Sequence, residues 1–295
     1  MSGQSSLRTG LKEFFMKKVL IFGSGSTGSR ICGEIKDSCE VIGFLDNDES
    51  KWGGKCCALP VLGNADSCKS LDFDEVILGS LTALDVMPAQ LVAAGVEPSK
   101  INRSFVETQV KARVNFLRDY AASVTEEPGV AVAEGGVFQG EFAKEINRAF
   151  PKSTLYLFDT FEGFDERDIR TERENGFSSE GVSHLNITSE SLVLSKLPHP
   201  GKAVIRKGFF PETAAGLEDA RFQFVNLDFD LHDPILAGLR FFYPRMIRGG
   251  VLLVHDYFNP GYKGVAQAVA DYERECSALV KIPIGDHCSI CIVKV

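Results

Sequence analysis

The sequence has no apolar run long enough to cross a membrane, and its amino terminus has no hydrophobic segment of the kind that signal peptides carry. It has no excess of positive charge either, because 40 acidic residues outweigh 32 lysines and arginines and leave a formal net charge of -8. A surface of this charge does not favour binding to nucleic-acid phosphates. We therefore predict a cytoplasmic protein with no membrane span and no nucleic-acid partner.

Cysteines are not scarce, but the arrangement that would make them functional is missing. Cys288 and Cys291 have the spacing of half a zinc site, and no second pair of this spacing completes it. Cys56 and Cys57 are adjacent and cannot readily bridge each other. Eight cysteines without a secretion signal indicate reduced thiols in a cytosol. We therefore predict that the cysteines serve packing rather than metal binding or redox chemistry.

The amino-terminal part of the chain carries a glycine-rich loop in the context that dinucleotide binding requires. An apolar strand precedes Gly23, Gly25 and Gly28, and a helical pattern follows them. Asp46 follows the next strand, about twenty residues further on, where a dinucleotide ribose would lie. No Tyr-x-x-x-Lys pair for hydride transfer accompanies the loop. Two hypotheses stay open: a second nucleotide site made by these four residues, or a docking or oligomerising module.

A second unit, made of a strand, a turn, a helix and another strand, begins at Val130. The apolar run 130–132 leads to Glu134, Gly136 and Gly140, helical spacing covers 143–150, and a buried strand at 155–158 ends in Asp159. Ligands of open α/β sheets bind outside the carboxyl ends of the strands. Glycines there let backbone N–H groups approach a ligand, and the acid can accept hydrogen bonds from ribose hydroxyls. The unit therefore predicts a site for an adenosine-type ligand.

Two later strands end in side chains that bind metals. The apolar run 224–227 ends in Asp228, and a second apolar strand ends in His255 and Asp256. If these strands are neighbours, their ends meet at one edge of the sheet and can form a three-ligand metal site. A histidine at a strand end is also common as a hydrogen-bonded structural residue.

The order of the longer motifs resembles one enzyme family. The motifs are FDTFEGF, KGFFPET, LDFDLHDP and YPRMIRGGVLLVHDYFNPGYKG. Together they are similar to the macrocin O-methyltransferase (TylF-type) family of S-adenosylmethionine-dependent sugar O-methyltransferases, over roughly Val110 to Val295. The amino-terminal part, with GFLDNDESKWGG and LPVLGNAD, resembles the nucleotide-binding domain of capsule-polysaccharide sugar-modifying enzymes. That second resemblance implies a pocket for NAD(P) or a nucleotide sugar.

The resemblance implies two tandem Rossmann-like α/β domains, of which the second is a class I S-adenosylmethionine-dependent methyltransferase fold. It implies S-adenosylmethionine as methyl donor, a sugar or glycoside as acceptor, and a homo-oligomer. It also implies an antiparallel strand at the sheet edge, formed by the last residues. The expected donor-binding residues lie in the strand and glycine unit that begins at Val130 and in the first two matching motifs, and they are Glu134, Gly136, Phe138, Gly140, Asp159, Thr160, Phe161, Gly208 and Phe209.

The family holds magnesium with residues that match Asp228, His255 and Asp256, but it more often has an aspartate where this chain has His255. Magnesium prefers oxygen ligands, whereas manganese tolerates nitrogen better, so the expected ion is Mg²⁺ or Mn²⁺. We predict that Asp228 removes the acceptor's proton. His255 is the alternative base, and it is also open whether His255 is a ligand at all.

Past Gly163 the hydrophobic pattern ends in a charged stretch with Arg167, Arg170 and Arg173, which is predicted to be a long loop. The resemblance implies that this stretch borders the acceptor pocket as a lid. The arginines fit either a phosphorylated or nucleotide-linked sugar or an ordinary solvated surface.

The domain boundaries expected from these patterns are a disordered amino terminus at 1–15, a Rossmann-like nucleotide-binding domain at 16–105, a linking helix at 106–128 and a methyltransferase domain at 129–295. We predict an O-methyltransferase that acts on a sugar hydroxyl with the help of a divalent metal. Two alternatives predict different ligands: an NAD(P)-dependent oxidoreductase of sugar metabolism, and a noncatalytic cofactor-binding protein of a glycan pathway.

Overall fold

The computed structural model describes residues 16–80 and 86–295, and the chain divides between Glu107 and Thr108 into two compact units. The stretch 1–15, predicted to be disordered, lies outside the described residues. Within the described ranges, no helix combines the length and the apolarity that crossing a membrane requires.

The first unit is built on a four-stranded parallel sheet with the order β2-β1-β5-β6. Strand β1 is one of the two inner strands of this sheet, and its apolar residues 19–22 are fully buried. Strands β3 and β4 come after β2 in the chain and pair as a separate two-stranded hairpin. The elements are β1 (Lys17–Phe22), α1 (Ser26–Ile35), β2 (Cys39–Leu45), β3 (Lys55–Cys56), β4 (Leu59–Pro60), β5 (Glu75–Leu78), α2 (Val86–Ala93) and β6 (Ile101–Asn102).

The helix α3 (Ser104–Ser123) follows β6 and covers most of the stretch where a linking helix is expected. Leu117 of this helix is fully buried and Gln109 is buried, whereas Val110 is exposed.

The second unit is built on a seven-stranded sheet with the order β12-β13-β11-β10-β7-β8-β9. Among the described strands of this sheet, β13 alone runs in the opposite direction to the others, so it is antiparallel to both β11 and β12. Its elements are β7 (Val130–Gly135), α4 (Glu141–Ala149), β8 (Leu155–Asp159), α5 (Glu166–Asn175), α6 (Glu190–Lys196), β9 (Ala203–Lys207), β10 (Arg221–Leu227), α7 (His232–Phe242), β11 (Met246–Val254), α8 (Lys263–Glu275), β12 (Val280–Pro283) and β13 (Ile290–Val293). Short 3-10 helices cover Glu49–Lys51, Ala65–Ser70, Pro98–Lys100, Pro200–Lys202, Glu212–Ala214 and Tyr243–Arg245.

Alternate residues of the central strands enter two separate cores, one on each face of the second sheet. Val225 and Leu252 pack with α7 and α8 on one face, whereas Phe224 and Leu253 pack with α3, α4 and α6 on the other. Full burial of an aliphatic or aromatic side chain stabilises by about 1.5–3 kcal/mol. Because both faces are covered, the strands read as continuous apolar runs rather than alternating ones.

The prediction that the last strand is the sheet edge is wrong. β13 is antiparallel, as expected, but it lies between β11 and β12. The edge strand is β12, and its residues Val280 and Ile282 are exposed. Three of its four residues are exposed and none is buried, so no buried apolar run marked it as a strand.

The prediction of a long loop after Gly163 is also wrong, because the stretch contains helix α5. Asp165 caps its amino terminus by accepting a hydrogen bond from the Arg167 N–H, and Gly176 ends it in a left-handed conformation at φ 64°. The residues that α5 buries include Asp168 and Glu172. A buried face made partly of acids hides the helical period from hydrophobicity patterns.

Candidate active site

The predicted site residues of the second unit gather at the carboxyl ends of five neighbouring parallel strands, in the order β11-β10-β7-β8-β9. Glu134 lies on β7 opposite Asn226 of β10, and the end of β10 is paired with the end of β11. The helix after β7 packs on one face of the sheet, and the helix after β10 packs on the other. The strand order therefore switches direction between β7 and β10, which is where open α/β sheets form a ligand crevice.

Backbone approach explains the glycine after Glu134. Gly136 has φ +80°, and a Cβ added to it would lie 1.9 Å from the carbonyl oxygen of Asp228. Phe138 follows with a positive φ, and Gly140 begins α4 in a left-handed conformation. The loop after β7 is therefore held directly against the loop after β10, which carries the predicted metal ligands.

Asp159 holds this glycine loop in place. Its Oδ2 accepts hydrogen bonds from the N–H groups of Val137 and Phe138 at 2.7 and 2.9 Å, and its Oδ1 accepts one from the Phe161 N–H at 2.7 Å. A contact between Asp159 and a ribose stays a prediction. The hydrogen bonds of Asp159 fix the loop after β7 and the loop after β8, which lie on two sides of the crevice.

Glu134 is buried, and one of its oxygens is unsatisfied. Its Oε1 accepts a hydrogen bond from Asn226 Nδ2 at 2.9 Å, whereas Oε2 has no hydrogen-bond partner within the described residues. Burial raises the pKa of Glu134 to about 8, against the opposing charge of Arg113. A buried acid with an unsatisfied oxygen beside a glycine loop fits a ligand that brings a positively charged group.

The residues at the ends of β10 and β11 converge on one point. Nδ1 of His255 lies 3.0 Å from Oδ1 of Asp228 and 3.0 Å from Oδ2 of Asp256. Burial opposes ionisation of both aspartates, but the charge of His255, together with that of Arg113 for Asp228 and with hydrogen bonds for Asp256, lowers their pKa values. Burial likewise opposes protonation of His255, and the two aspartates nevertheless raise its pKa.

Asp230 adds a third carboxylate to this group. Asp230 and Asp256 both have a positive φ, at 63° and 56°, which is strained for residues other than glycine. Oxygens of Asp228, Asp230 and Asp256 lie within 4.8 Å of one another. Burial raises the pKa of Asp230, and repulsion from Asp256 raises it further. Three crowded carboxylates fit a divalent cation, which would neutralise their repulsion.

Besides Asp230, two more residues of this site were not predicted from the sequence as site residues. Arg113, on α3, donates from Nη2 to Oδ2 of Asp228 at 2.7 Å and lies 4.0 Å above the ring of Phe142. Cys288, before β13, donates from its thiol to Oδ1 of Asp256 at 3.0 Å. Both come from segments that are remote in sequence from the ends of β10 and β11, so the strand ends could not identify them. The signal for Arg113 was a charged residue among the apolar positions of α3. The signal for Cys288 was its spacing to Cys291, which was interpreted as packing rather than metal binding.

The remaining predicted donor residues surround the ends of β8 and β9. The Gly208 N–H donates to the carbonyl oxygen of Asp159 at 2.9 Å, so these two loops are joined. Phe209 is covered by the guanidinium of Arg167 at 3.4 Å. Phe161 has φ 57° and is buried, and Thr160 lies between it and Asp159. Their contact with an adenine or ribose stays a prediction.

The segment 177–189 contacts the loops of the crevice, where a lid is predicted. Gln139 donates from Nε2 to the carbonyl oxygen of Ile187 at 2.8 Å, and the Phe164 N–H donates to that of Val182 at 3.1 Å. His184 stacks on Phe164. The segment is therefore attached at both the β7 and the β8 loop.

In the first unit, the predicted nucleotide loop is largely satisfied by its own chain. Asp46 is buried, and its Oδ2 accepts hydrogen bonds from the N–H and the hydroxyl of Ser24 and from Lys51 Nζ. A Cβ on Gly28 would lie 1.9 Å from the Gly23 carbonyl oxygen, whereas Gly25 has open space around it. Close packing of the backbone thus accounts for Gly23 and Gly28 but not for Gly25. Ligand binding at this loop stays a prediction.

Comparison with family models gives matches to both parts of the chain. The model described as Macrocin-O-methyltransferase (TylF) matches residues 104–288. The model described as C2185-like, N-terminal, matches residues 15–102. Together with the sheet order of the second unit, the first match confirms the predicted methyltransferase fold and the predicted family resemblance.

Solved structures with similarity to the chain include three methyltransferases. The O-methyltransferase NovP is 22% identical, with 62% of this chain and 80% of that chain covered and a TM-score of 0.48. The calicheamicin methyltransferase CalS11 is 17% identical, with 72% and 88% covered and a TM-score of 0.49. A putative O-methyltransferase from Klebsiella pneumoniae is 13% identical, with 73% and 99% covered and a TM-score of 0.40. No curated protein matches the chain in sequence.

Proposed function

The chain belongs to the macrocin O-methyltransferase (TylF) family and is an O-methyltransferase, and on this premise we propose that it transfers the methyl group of S-adenosylmethionine to a sugar hydroxyl with the help of a divalent ion. One observation supports this most strongly. The unsatisfied buried oxygen of Glu134 and the converging side chains of Asp228, His255 and Asp256 lie on adjoining strand ends of one crevice. A positively charged donor and an acceptor oxygen can therefore meet there.

On the donor side, the chain supplies charge and orientation. We assign Glu134 the amino group of the donor, because its Oε2 is buried without a partner in the described chain. Asp159 orders the glycine loop through the N–H groups of Val137 and Phe138 and so shapes the floor of the pocket. Alignment of donor and acceptor is the main requirement for a donor that already carries an activated methyl group.

On the acceptor side, Asp228 is the group that receives the proton. A sugar hydroxyl is a weak nucleophile, and removal of its proton during transfer makes it reactive. Arg113 and His255 hold the Asp228 carboxylate from two directions and, against burial, lower its pKa. Asp228, His255 and Asp256 would hold the ion, and a divalent ion supplies Lewis-acid polarisation of an acceptor oxygen when bound.

A substitution at Asp228 tests the separation of these roles. Asp228→Asn keeps the size of the side chain and removes its basicity, so we expect loss of methyl transfer with S-adenosylhomocysteine affinity nearly unchanged. Transfer is measured with S-adenosylmethionine and a panel of nucleotide sugars and glycosides, and affinity is measured by calorimetry. Asp219→Asn is the control, because Asp219 is exposed and precedes the opposite end of β10. Equal loss of transfer and of affinity would refute the assignment.

A further inference from the structure

The cluster around Asp256 contains two overlapping sets of possible metal ligands. One set is made of oxygens only and consists of Asp228, Asp230 and Asp256. The other consists of His255, Asp256 and Cys288, and it offers nitrogen, oxygen and sulfur atoms that lie within 4.8 Å of one another. Bonds of about 2.0–2.3 Å from Zn²⁺ place neighbouring ligand atoms about 3.3–3.8 Å apart, so the second set is close to a binding arrangement.

The imidazole of His255 has the surroundings of a ligand rather than of a hydrogen-bonded residue. Its Nδ1 is buried 3.0 Å from oxygens of both Asp228 and Asp256, yet it makes no hydrogen bond of acceptable geometry within residues 16–80 and 86–295. Buried polar atoms almost always have a partner. The Nδ1 atom of His255 therefore lies between two carboxylates without a hydrogen bond that fixes it to either of them.

The thiol of Cys288 is fixed at the same place by its own loop. Asp286 accepts hydrogen bonds from the N–H groups of Cys288 and Ser289 at 3.0 and 2.7 Å. The Cys288 carbonyl oxygen accepts one from the Phe258 N–H at 3.1 Å. Asn259 donates from Nδ2 to Oδ1 of Asp256 at 2.8 Å, on the oxygen that Cys288 also contacts. Outer hydrogen bonds of this kind orient the ligands of a metal.

Nitrogen and sulfur atoms select a different ion from the oxygen set alone. Mg²⁺ requires hard oxygen ligands and near-octahedral geometry, whereas thiolate and imidazole favour borderline ions. Building on the proposed divalent-ion function, we propose that His255, Asp256 and Cys288 form a mixed site that takes a borderline transition-metal ion of the Zn²⁺ and Co²⁺ class in preference to Mg²⁺. Asp228 and Asp230 lie beside it as further oxygen ligands.

Cobalt spectroscopy on the full chain tests this site directly. The purified protein is stripped with a chelator and titrated with Co²⁺, and a thiolate-to-cobalt charge-transfer band is followed in the near ultraviolet. We expect the band in the wild type, its loss in Cys288→Ser, and a drop in Co²⁺ affinity of more than about tenfold. Cys291→Ser is the matched control. Cys291 is buried on the face of the sheet that α3, α4 and α6 cover, in the core that does not include α7 and α8. The control is expected to keep the band.

Competition between metal ions for the wild-type protein is a second test, and it does not require any variant to fold. Zn²⁺ should displace Co²⁺ at comparable concentration, and Mg²⁺ should fail to displace it even in large excess. Co²⁺ binding without the band, a band that survives Cys288→Ser, or displacement by equimolar Mg²⁺ would each overturn the mixed site. S-adenosylhomocysteine binding is measured on the same samples. Failure of metal binding alone therefore refutes the metal part, whereas failure of donor binding refutes the methyl-transfer proposal.

Discussion

At the scale of single residues, the crevice is defined by buried charges whose partners come from distant parts of the chain. Glu134, Asp228 and Asp256 were predicted because each follows an apolar strand, and the carboxyl ends of parallel strands are where ligands bind. Arg113 was not predicted and Cys288 was assigned to packing, because their contacts depend on how α3 and the loop before β13 pack. Sequence periodicity describes elements, and contacts between elements are not contained in it.

Glu134 should make donor binding depend on pH. Its pKa is raised to about 8, chiefly by burial, so it is protonated near neutral pH in the ligand-free protein. A positively charged donor favours the ionised form, and binding below the pKa must therefore expel a proton. We expect S-adenosylhomocysteine affinity to rise between pH 6.5 and pH 8, by up to about tenfold per pH unit, and then to level off.

Calorimetry across this range on Glu134→Gln provides the matched comparison. The amide cannot ionise, so the affinity should be lower by more than about tenfold at pH 8 and independent of pH below it. An affinity in Glu134→Gln equal to that of the wild type at pH 8 would remove Glu134 from the donor site.

At the scale of elements, helices α3 and α5 depart most from what their sequences indicate. α3 reads as a linking helix, but it brings Arg113 to the predicted base, Asp228. α5 reads as a loop, because its buried positions include Asp168 and Glu172. Helical periodicity is recognised through apolar residues, so a helix that buries acids near other charged groups is missed.

Removal of the α3 cation should destabilise the fold. Arg113 is nearly buried and pairs with the partly buried Asp228, so Arg113→Met removes one of the two cationic partners of that carboxylate and leaves it with His255. We expect a loss of about 3 kcal/mol in the free energy of unfolding, measured by urea denaturation. Arg118→Met on the same helix is the control, since Arg118 is exposed and its pair with Glu145 contributes at most about 1 kcal/mol. Equal losses in the two variants would contradict the role given to Arg113.

Helix α5 should make stability fall as pH rises towards neutrality. Burial, with repulsion from Asp233, raises the pKa of Asp168 to about 7 from an ordinary value of 3.8. Between these values the folded protein keeps a proton that the unfolded chain releases, so the free energy of unfolding decreases as pH increases from 4 to 7. Above pH 7 the loss is complete, and it amounts to at most about 4 kcal/mol.

Asp168→Asn isolates this contribution. The variant should melt at a higher temperature than the wild type at pH 8, and the difference should shrink towards pH 4. Glu174→Gln on the same helix is the control, because Glu174 is exposed. A melting temperature for Asp168→Asn at or below that of the wild type at pH 8 would show that Asp168 is ionised without cost.

At the scale of the whole molecule, one chain carries two α/β units that match different family models. The α/β class of the second unit was predictable because strand, glycine turn and helix recur in order, and its methyltransferase fold was implied by the family resemblance. The place of β13 inside the sheet was not predictable, since strand order at an edge depends on pairing rather than on pattern. In the first unit, Asp46 is used by its own loop, so a glycine motif there does not by itself indicate a ligand.

The most direct measurement is a crystal structure of the full chain with S-adenosylhomocysteine and a divalent ion. The account predicts the ligand across the ends of β7 and β8, with its amino group on Glu134 and the ion in contact with Asp228 and Asp256. A ligand bound elsewhere, or carboxylates of Asp228 and Asp256 turned away from each other with no ion between them, would contradict it.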